Sequence, residues 1–348
     1  MDLKTLLVVV VLLAACTPTI VPDAQSQAEI VAEGERPAAS DVRNDTIVVY
    51  ESKPDANDPY EYVGIQRWYN LDGVLPAGRV TLTRADLQGK VVLVDFWTYS
   101  CINCIRTLPY LTSWDEKYRS EGLVIVGIHT PEFAFEKKPE NVEKALQKYG
   151  IDYPVGLDNN YVTWSGYSNR WWPHTYLFDR DGTLVYDHIG EGGYDEIESR
   201  IQELLAVSDG MTDVELPEYQ RIDSPEIYLG GTSNRGNVDY GLVLGEHEFT
   251  FKDPLSTNKV QLEGAWRVNE EFIEAVRDAK LRLRYDSRDI HVVAAGEGTI
   301  VVSIDGALPS SLAVEGDQLY TLSNTTYDVH LAEFAVTPGV RLYAFTFG

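Results

Sequence analysis

Residues 91–104 read Val-Val-Leu-Val-Asp-Phe-Trp-Thr-Tyr-Ser-Cys-Ile-Asn-Cys: an apolar run, a short polar turn, and a cysteine opening a segment that can be helical. A strand this continuously apolar is covered on both faces, so helices must pack above and below it. From Thr46 to about Ser208, β-type runs alternate with helix-type segments, which is the pattern of an α/β layered domain. Strands are expected at Val91–Phe96, Leu123–Ile128 and Thr175–Phe178, and helices at Cys101–Arg119, Pro139–Tyr149 and Tyr194–Leu205. Asp179-Arg-Asp-Gly182 forms a turn, returning the third strand as a hairpin with Thr183–His188.

Cysteine usage narrows the chemistry, because the 348 residues contain only three cysteines. Lys4 precedes an apolar run from Leu6 to Ala15, and small residues lead into Cys16, a secretory pattern. That run is about half the ~20 residues a spanning helix needs, so it exports the chain without crossing the bilayer. Leu13-Ala-Ala-Cys16 resembles a bacterial lipobox, which implies removal of residues 1–15 and lipidation of Cys16 as the first mature residue. Several acyl chains on one cysteine anchor far more firmly than a single chain. The protein is then expected to be a membrane-anchored lipoprotein facing the periplasm or cell exterior. With Cys16 taken up by lipid, Cys101 and Cys104 have only each other, and no scaffold disulfide is available.

Residues 16–45 are rich in Pro, Ala, Ser and acidic side chains and are read as a flexible tether. The redox domain is placed at 46–208 and a linker at 209–224. From 225 to 348 short alternating strands such as His247–Phe251, Lys280–Arg284 and Val340–Phe347 indicate an all-β sandwich. The net charge of −25 opposes phosphate backbones, so nucleic acid is not an expected partner.

A cysteine at a helix start meets unpaired backbone N–H groups and the positive end of the dipole, which stabilise a thiolate. Two intervening residues place Cys104 one turn on, close enough to attack a mixed disulfide formed at Cys101. Cys101 is therefore the expected nucleophile and Cys104 the resolving thiol. The pair itself is the redox group, and no further cofactor or metal is expected.

The strand, Trp97, C-x-x-C and Pro109 resemble the active-site segment of thioredoxins, and this resemblance implies several roles. Pro109 would kink the first helix. Asp95, six residues before Cys101, would be a buried acid that takes the resolving cysteine's proton. Trp172-Pro173 would be a cis proline facing the cysteines, with the Trp172 backbone pairing to an extended substrate. Trp97, Trp172 and Pro173 form the expected substrate-binding set.

Trp97–Cys104, His129-Thr-Pro-Glu-Phe-Ala-Phe-Glu136, Asn169-Arg-Trp-Trp-Pro173 and Tyr343–Gly348 together resemble the soluble portion of DipZ-type proteins. That family joins a TlpA-like thioredoxin domain to a β-sandwich similar to carbohydrate-binding modules, of jelly-roll type. It implies a reductase of periplasmic or envelope disulfides, including cytochrome maturation factors. DipZ proteins usually carry a multi-span membrane portion that brings in electrons. None is read here, so a separate membrane electron donor is the expected partner. His129, His174, Trp164, Tyr167, Trp171 and Trp172 fall where they could border the site.

Other readings remain open. Copper-binding relatives of this fold space their cysteines by three residues, against two here, which weakens a metallochaperone. A structural zinc site would lack two ligands. Peroxidase chemistry would want a proline where Val94 stands. A non-catalytic glycan-binding or scaffold lipoprotein is the remaining alternative, with Trp266 as a candidate sugar platform.

Overall fold

The computed structural model describes residues 58–214, 224–233, 237–238, 243–277 and 279–348. The expected signal peptide, the Cys16 lipid site, the tether, the first residues of the redox domain and 215–223 of the linker lie outside the described residues. The described residues all belong to one compact unit, so contacts between the two domains are part of its core.

The first domain is built on six strands: β1 (Trp68–Tyr69), β2 (Val91–Trp97), β3 (Leu123–His129), β4 (Val155–Leu157), β5 (His174–Phe178) and β6 (Leu184–Ile189). They form one sheet in the order β1-β4-β3-β2-β5-β6. β2, β3 and β4 run parallel, while β5 and β6 form an antiparallel hairpin beside β2. Every residue of β2 and β3 is buried, which is why their sequences, Asp95 and His129 apart, are apolar without alternation. The helices are α1 (Ile102–Tyr118), α2 (Pro139–Tyr149), α3 (Val162–Gly166) and α4 (Tyr194–Leu205). Val91, Leu93 and Trp97 face a core shared with α1, α2 and α4. Val92, Val94 and Phe96 face the opposite core, with Leu82, Trp164, Tyr167 and Phe178. This two-sided strand carries the redox motif off its C-terminal end.

The elements found match the expected ones to within a residue or two at most ends. The short β1, β4 and α3 are additional. α1 continues through Pro109 rather than ending at it. A mid-helix proline has no N–H to donate to the carbonyl of Ile105, one turn earlier. One turn later, Thr112 Oγ1 donates to the carbonyls of Leu108 and Pro109, each at 3.1 Å.

The second domain is all β, as expected, with strands β7 (Ile227–Tyr228), β8 (Gly245–Phe249), β9 (Lys259–Val268), β10 (Ile273–Ala275), β11 (Ala279–Asp286), β12 (Asp289–Ile304), β13 (Ser310–Glu315), β14 (Gln318–Asn324), β15 (Val329–Val336) and β16 (Val340–Phe347). Its two faces share strands. The first half of β9 pairs β11, and its second half pairs β8 and β10. β12 likewise pairs β14 and β16 early and β13 and β15 late. Both strands cross from one face to the other at glycines with positive φ, Gly264 at +87° and Gly296 at +91°. Hydrogen bonding therefore closes through β12-β15-β11-β9-β10-β16. Trp266 lies in this core, fully buried, with Nε1 donating to the Glu263 carbonyl, so it presents no platform to a sugar.

The domains share apolar core. Tyr343 of β16 meets Phe133 and Phe135 at ring distances of 5.1 and 4.8 Å. Around it, Ala134 N–H donates to Glu271, Lys138 pairs with Asp317 at 3.0 Å, and Arg106 of α1 donates to the Phe347 carbonyl at 3.3 Å. Among the described residues no helix is long and apolar enough to cross a membrane.

Candidate redox site

β2 ends at Trp97, and the turn Thr98–Ser100 carries the chain into α1 with Cys101 at the N-cap. Its φ and ψ of −78° and 117° are extended, while its carbonyl already accepts from Ile105 N–H at 3.0 Å. Cys101 Sγ accepts the Cys104 backbone N–H at 3.4 Å, occupying the position usually filled by a capping oxygen. Both cysteines are free thiols, Cys101 7% exposed and Cys104 1%. Opposite them the Trp172–Pro173 peptide is cis. The Trp172 carbonyl lies 3.9 Å from Cys101 Sγ. Its indole is fixed from behind, Nε1 donating to the Thr130 carbonyl at 3.0 Å and the ring packing on Trp164 at 4.3 Å.

Asp95 sits on β2 between Gly127 of β3 and Thr175 of β5, and it is buried on the same side of the sheet as Cys104. Among the described residues neither of its oxygens receives a hydrogen bond. Burial without a donor pushes its carboxyl up to about 8. The Cys104 thiol is pushed well above its ordinary range, first by burial and then by its hydrogen bond to Cys101 and the nearby charges of Cys101 and Asp95. An acid and a thiol that each hold their proton unusually tightly are thus placed together under the exposed edge of the pair.

Trp97, expected to contact substrate, is 0% exposed. The alternation along β2 aims it into the core, where its ring meets His129 edge-on at 5.3 Å, so it packs the floor of the site and lines no groove. His129 is stacked under Tyr99 at 5.6 Å, and its Nε2 lies 3.4 Å from Thr98 Oγ1. Burial lowers its pKa to about 3, leaving the ring neutral. Of the aromatic set near the Pro173 loop, Trp164 and Tyr167 belong to the core, Trp172 is half-buried, and Trp171 is 47% exposed beside the loop. His174 is buried directly after Pro173, between Asn169 and Asp187.

Sequence reasoning missed Glu136. A glutamate after Phe133-Ala-Phe reads as the solvated face of an amphipathic turn, yet this one is fully buried. Its Oε1 accepts from Ser100 Oγ at 2.6 Å and Ser100 N–H at 3.3 Å, and its Oε2 from the N–H groups of Glu132 at 2.6 Å and Phe133 at 2.9 Å. Arg106 was missed too. It is buried on α1 and bonds Asn103 at 3.2 Å and Glu191 at 3.1 Å as well as the Phe347 carbonyl.

Comparison with known proteins divides the chain in the same two parts. Residues 72–205 match a family model described as Redoxin, and residues 224–348 one described as a thioredoxin-like C-terminal domain. DipZ of Mycobacterium bovis is 35% identical over 309 residues, covering 82% of this chain and 42% of that protein. The thiol-disulfide oxidoreductase YkuV of Bacillus subtilis is 27% identical over 147 residues, covering 42% of this chain and 93% of that protein. The thiol-disulfide oxidoreductase ResA of Bacillus cereus is 29% identical over 119 residues, covering 34% of this chain and 66% of that protein. The chain thus spans less than half the length of DipZ.

Proposed function

This chain is a homologue of DipZ in which a redoxin domain precedes a thioredoxin-like C-terminal domain, and from that premise we propose that it is an exported thiol–disulfide oxidoreductase, working through Cys101 and Cys104 as a reductase of envelope protein disulfides. The observation that carries this reading is the position of Cys101 Sγ. It sits at the first turn of α1, accepting the Cys104 N–H, with the Trp172 carbonyl 3.9 Å away on the facing loop.

The reaction has two exchanges. Cys101 Sγ, as thiolate, attacks one sulfur of a substrate disulfide. That S–S bond breaks, Cys101 becomes joined to the substrate, and the other substrate sulfur leaves as a thiolate. Cys104 then loses its proton to the ionised form of Asp95 and attacks Cys101 Sγ. The Cys101–Cys104 bond forms, the second substrate thiolate departs, and two electrons have passed from the chain to the substrate. A thiol donor must restore the dithiol, and a separate membrane partner fills that role. The Trp172 backbone and Pro173 hold the substrate in extended form beside Cys101. Cys16, lipidated, would keep this machinery at the membrane surface. Cytochrome maturation factors are one substrate class that fits. No cofactor is required beyond the two sulfurs.

Cells expressing Cys104→Ser test the reading, because the mixed disulfide at Cys101 can no longer be resolved. Envelope proteins released from Cys101 by dithiothreitol and identified by mass spectrometry are the expected result. Recovery of none, with Cys101 fully alkylatable, would count against a redox role.

A further inference from the structure

His174 opens β5 immediately after Pro173, and its ring is held between two oxygens. Nδ1 lies 2.8 Å from Asn169 Oδ1, and Nε2 lies 3.0 Å from Asp187 Oδ2. The Asn169 amide cannot turn to present a donor, because both of its ends are engaged. Oδ1 accepts the N–H groups of Arg170 at 2.7 Å and Trp171 at 3.3 Å, and Nδ2 donates to the Trp171 carbonyl at 3.2 Å. A neutral imidazole has one N–H and one lone pair and can satisfy only one of these acceptors. The imidazolium satisfies both.

The first contact ties together the two ends of one functional segment, and the second ties that segment to the neighbouring strand. Asn169 and His174 bracket residues 170–173, which present the Trp172 carbonyl to Cys101, while Asp187 belongs to β6 outside that segment. The charged and titratable groups facing the ring are few. β6 contributes Asp187 and His188, and β5 contributes Tyr176, whose ring is 4.1 Å away. The 169–171 turn supplies the uncharged Asn169 and Trp171, and β2 pairs through Phe96. Burial disfavours the cation, as does His188, whereas Asp187 favours it, and the balance lowers the ring's pKa from its ordinary value.

We propose that His174 is a positioning residue whose protonated ring clasps the Trp172–Pro173 segment to β6 through Asn169 and Asp187, so that engagement of a protein disulfide, but not the thiol chemistry, depends on pH. Loss of the proton leaves a lone pair aimed at an acceptor oxygen. Asp187, 51% exposed on its side chain, is the partner able to turn to water, and the segment is then held at one point instead of two. A fixed Trp172 backbone costs a substrate peptide less ordering on binding. Engagement is therefore favoured on the acid side. This rests on the redox reading above for its consequence, though not for the clasp itself.

The test measures exchange of the full chain with a disulfide-linked peptide and with a small aromatic disulfide from about pH 4.5 to 7.5. The ratio of the two rates cancels the Cys101 thiolate fraction. The expected ratio rises on the order of 3- to 10-fold as His174 gains its proton, the range one hydrogen bond supplies. In Asp187→Asn the new amide donates to the neutral Nε2, so the ratio becomes flat. NMR titration of the His174 ring should show its pKa falling in the same variant. A flat native ratio, or an Asp187→Asn variant that keeps both the slope and the ring pKa, overturns the proposal. Absence of exchange even with the small disulfide would sink the redox reading instead, and the ring titration would still decide the clasp.

Discussion

Ser100 and Glu136 are joined by a 2.6 Å hydrogen bond in which Ser100 Oγ donates to Glu136 Oε1. Ser100 is the residue before Cys101, and the other Glu136 oxygen takes the N–H groups of Glu132 and Phe133. A single buried carboxylate therefore pins the entrance of α1 to the segment on which the C-terminal domain packs. Burial raises its pKa, and hydrogen bonds from the Ser100 and Thr98 side chains and from the Phe133 and Glu132 N–H groups act against that rise.

Glu136→Ala should leave those donors buried without an acceptor and cost about 3 kcal/mol or more. Glu136→Gln keeps one acceptor oxygen and should cost about half as much. Urea unfolding of both variants measures the difference, and iodoacetamide labelling should show the Cys101 alkylation rate changed in the alanine variant. An alanine variant as stable as the parent would show that this carboxylate does not hold the turn.

Asp95 predicts a pH dependence of stability whose sign follows from its raised pKa. The folded chain keeps the Asp95 proton up to about pH 8, while the unfolded chain releases it near the ordinary carboxylate value. Between those limits the native state binds more protons, so this group makes stability fall as pH rises, by up to ~1.4 kcal/mol per pH unit. Below the lower limit the effect is absent, and above about 8 the full penalty remains. Asp95→Asn should therefore be more stable than the parent at pH 8 and indistinguishable from it at about pH 3.5 in thermal melts. The same change should slow release of a mixed disulfide by about 100-fold, the usual contribution of a positioned base. A variant that gains stability without slowing release would leave Asp95 a structural acid only.

The α/β core was legible because β2 and β3 are continuous apolar runs and because a C-x-x-C placed after such a run has few structural homes. β1, β4 and α3 were not, since Trp68 pairs with Gly156 through a contact that no local periodicity records. The second domain's strands alternated visibly, but their closure depends on β9 and β12 bending at Gly264 and Gly296, and a glycine within a strand does not say which partners lie on either side. Trp97 misled for a related reason. The resemblance to thioredoxins put it in the substrate-binding set, whereas the pleat of β2 sends it inward. The His174 partners were invisible because Asn169 and Asp187 meet only through the hairpin of β5 and β6.

The docking of the two domains predicts cooperative unfolding. Tyr343 touches Phe133, Phe135 and Phe272, so its ring belongs to the redox-domain core although its strand belongs to the other domain. Tyr343→Ala should cost about 3–5 kcal/mol, the usual loss for deleting a buried aromatic ring. The parent should unfold in one calorimetric transition and the variant in two, as the remaining polar links such as Lys138–Asp317 are exposed at one end and individually weak. A variant that loses stability yet keeps one transition would place the coupling elsewhere.

Gly127 predicts how little space lies under the redox pair. It is paired with Asp95 across β2 and β3, and a Cβ added there would stand 3.0 Å from Trp97 Nε1, 3.1 Å from Val155 Cγ2 and 3.2 Å from Tyr153 Cε2. Each contact is tight enough to require movement, and all three neighbours are buried, so none can move into solvent. Overpacking of this kind costs about 1–3 kcal/mol. Trp97 supports His129, which in turn carries Tyr99, so a displaced indole is passed to the turn that precedes Cys101. Gly127→Ala should therefore lower the melting temperature and also change the rate of Cys101 alkylation, whereas Gly150→Ala, at a helix end with nothing within 4 Å of the new atom, should affect stability alone. Equal alkylation rates in the two variants would mean that the packing beneath the sheet does not reach the thiol.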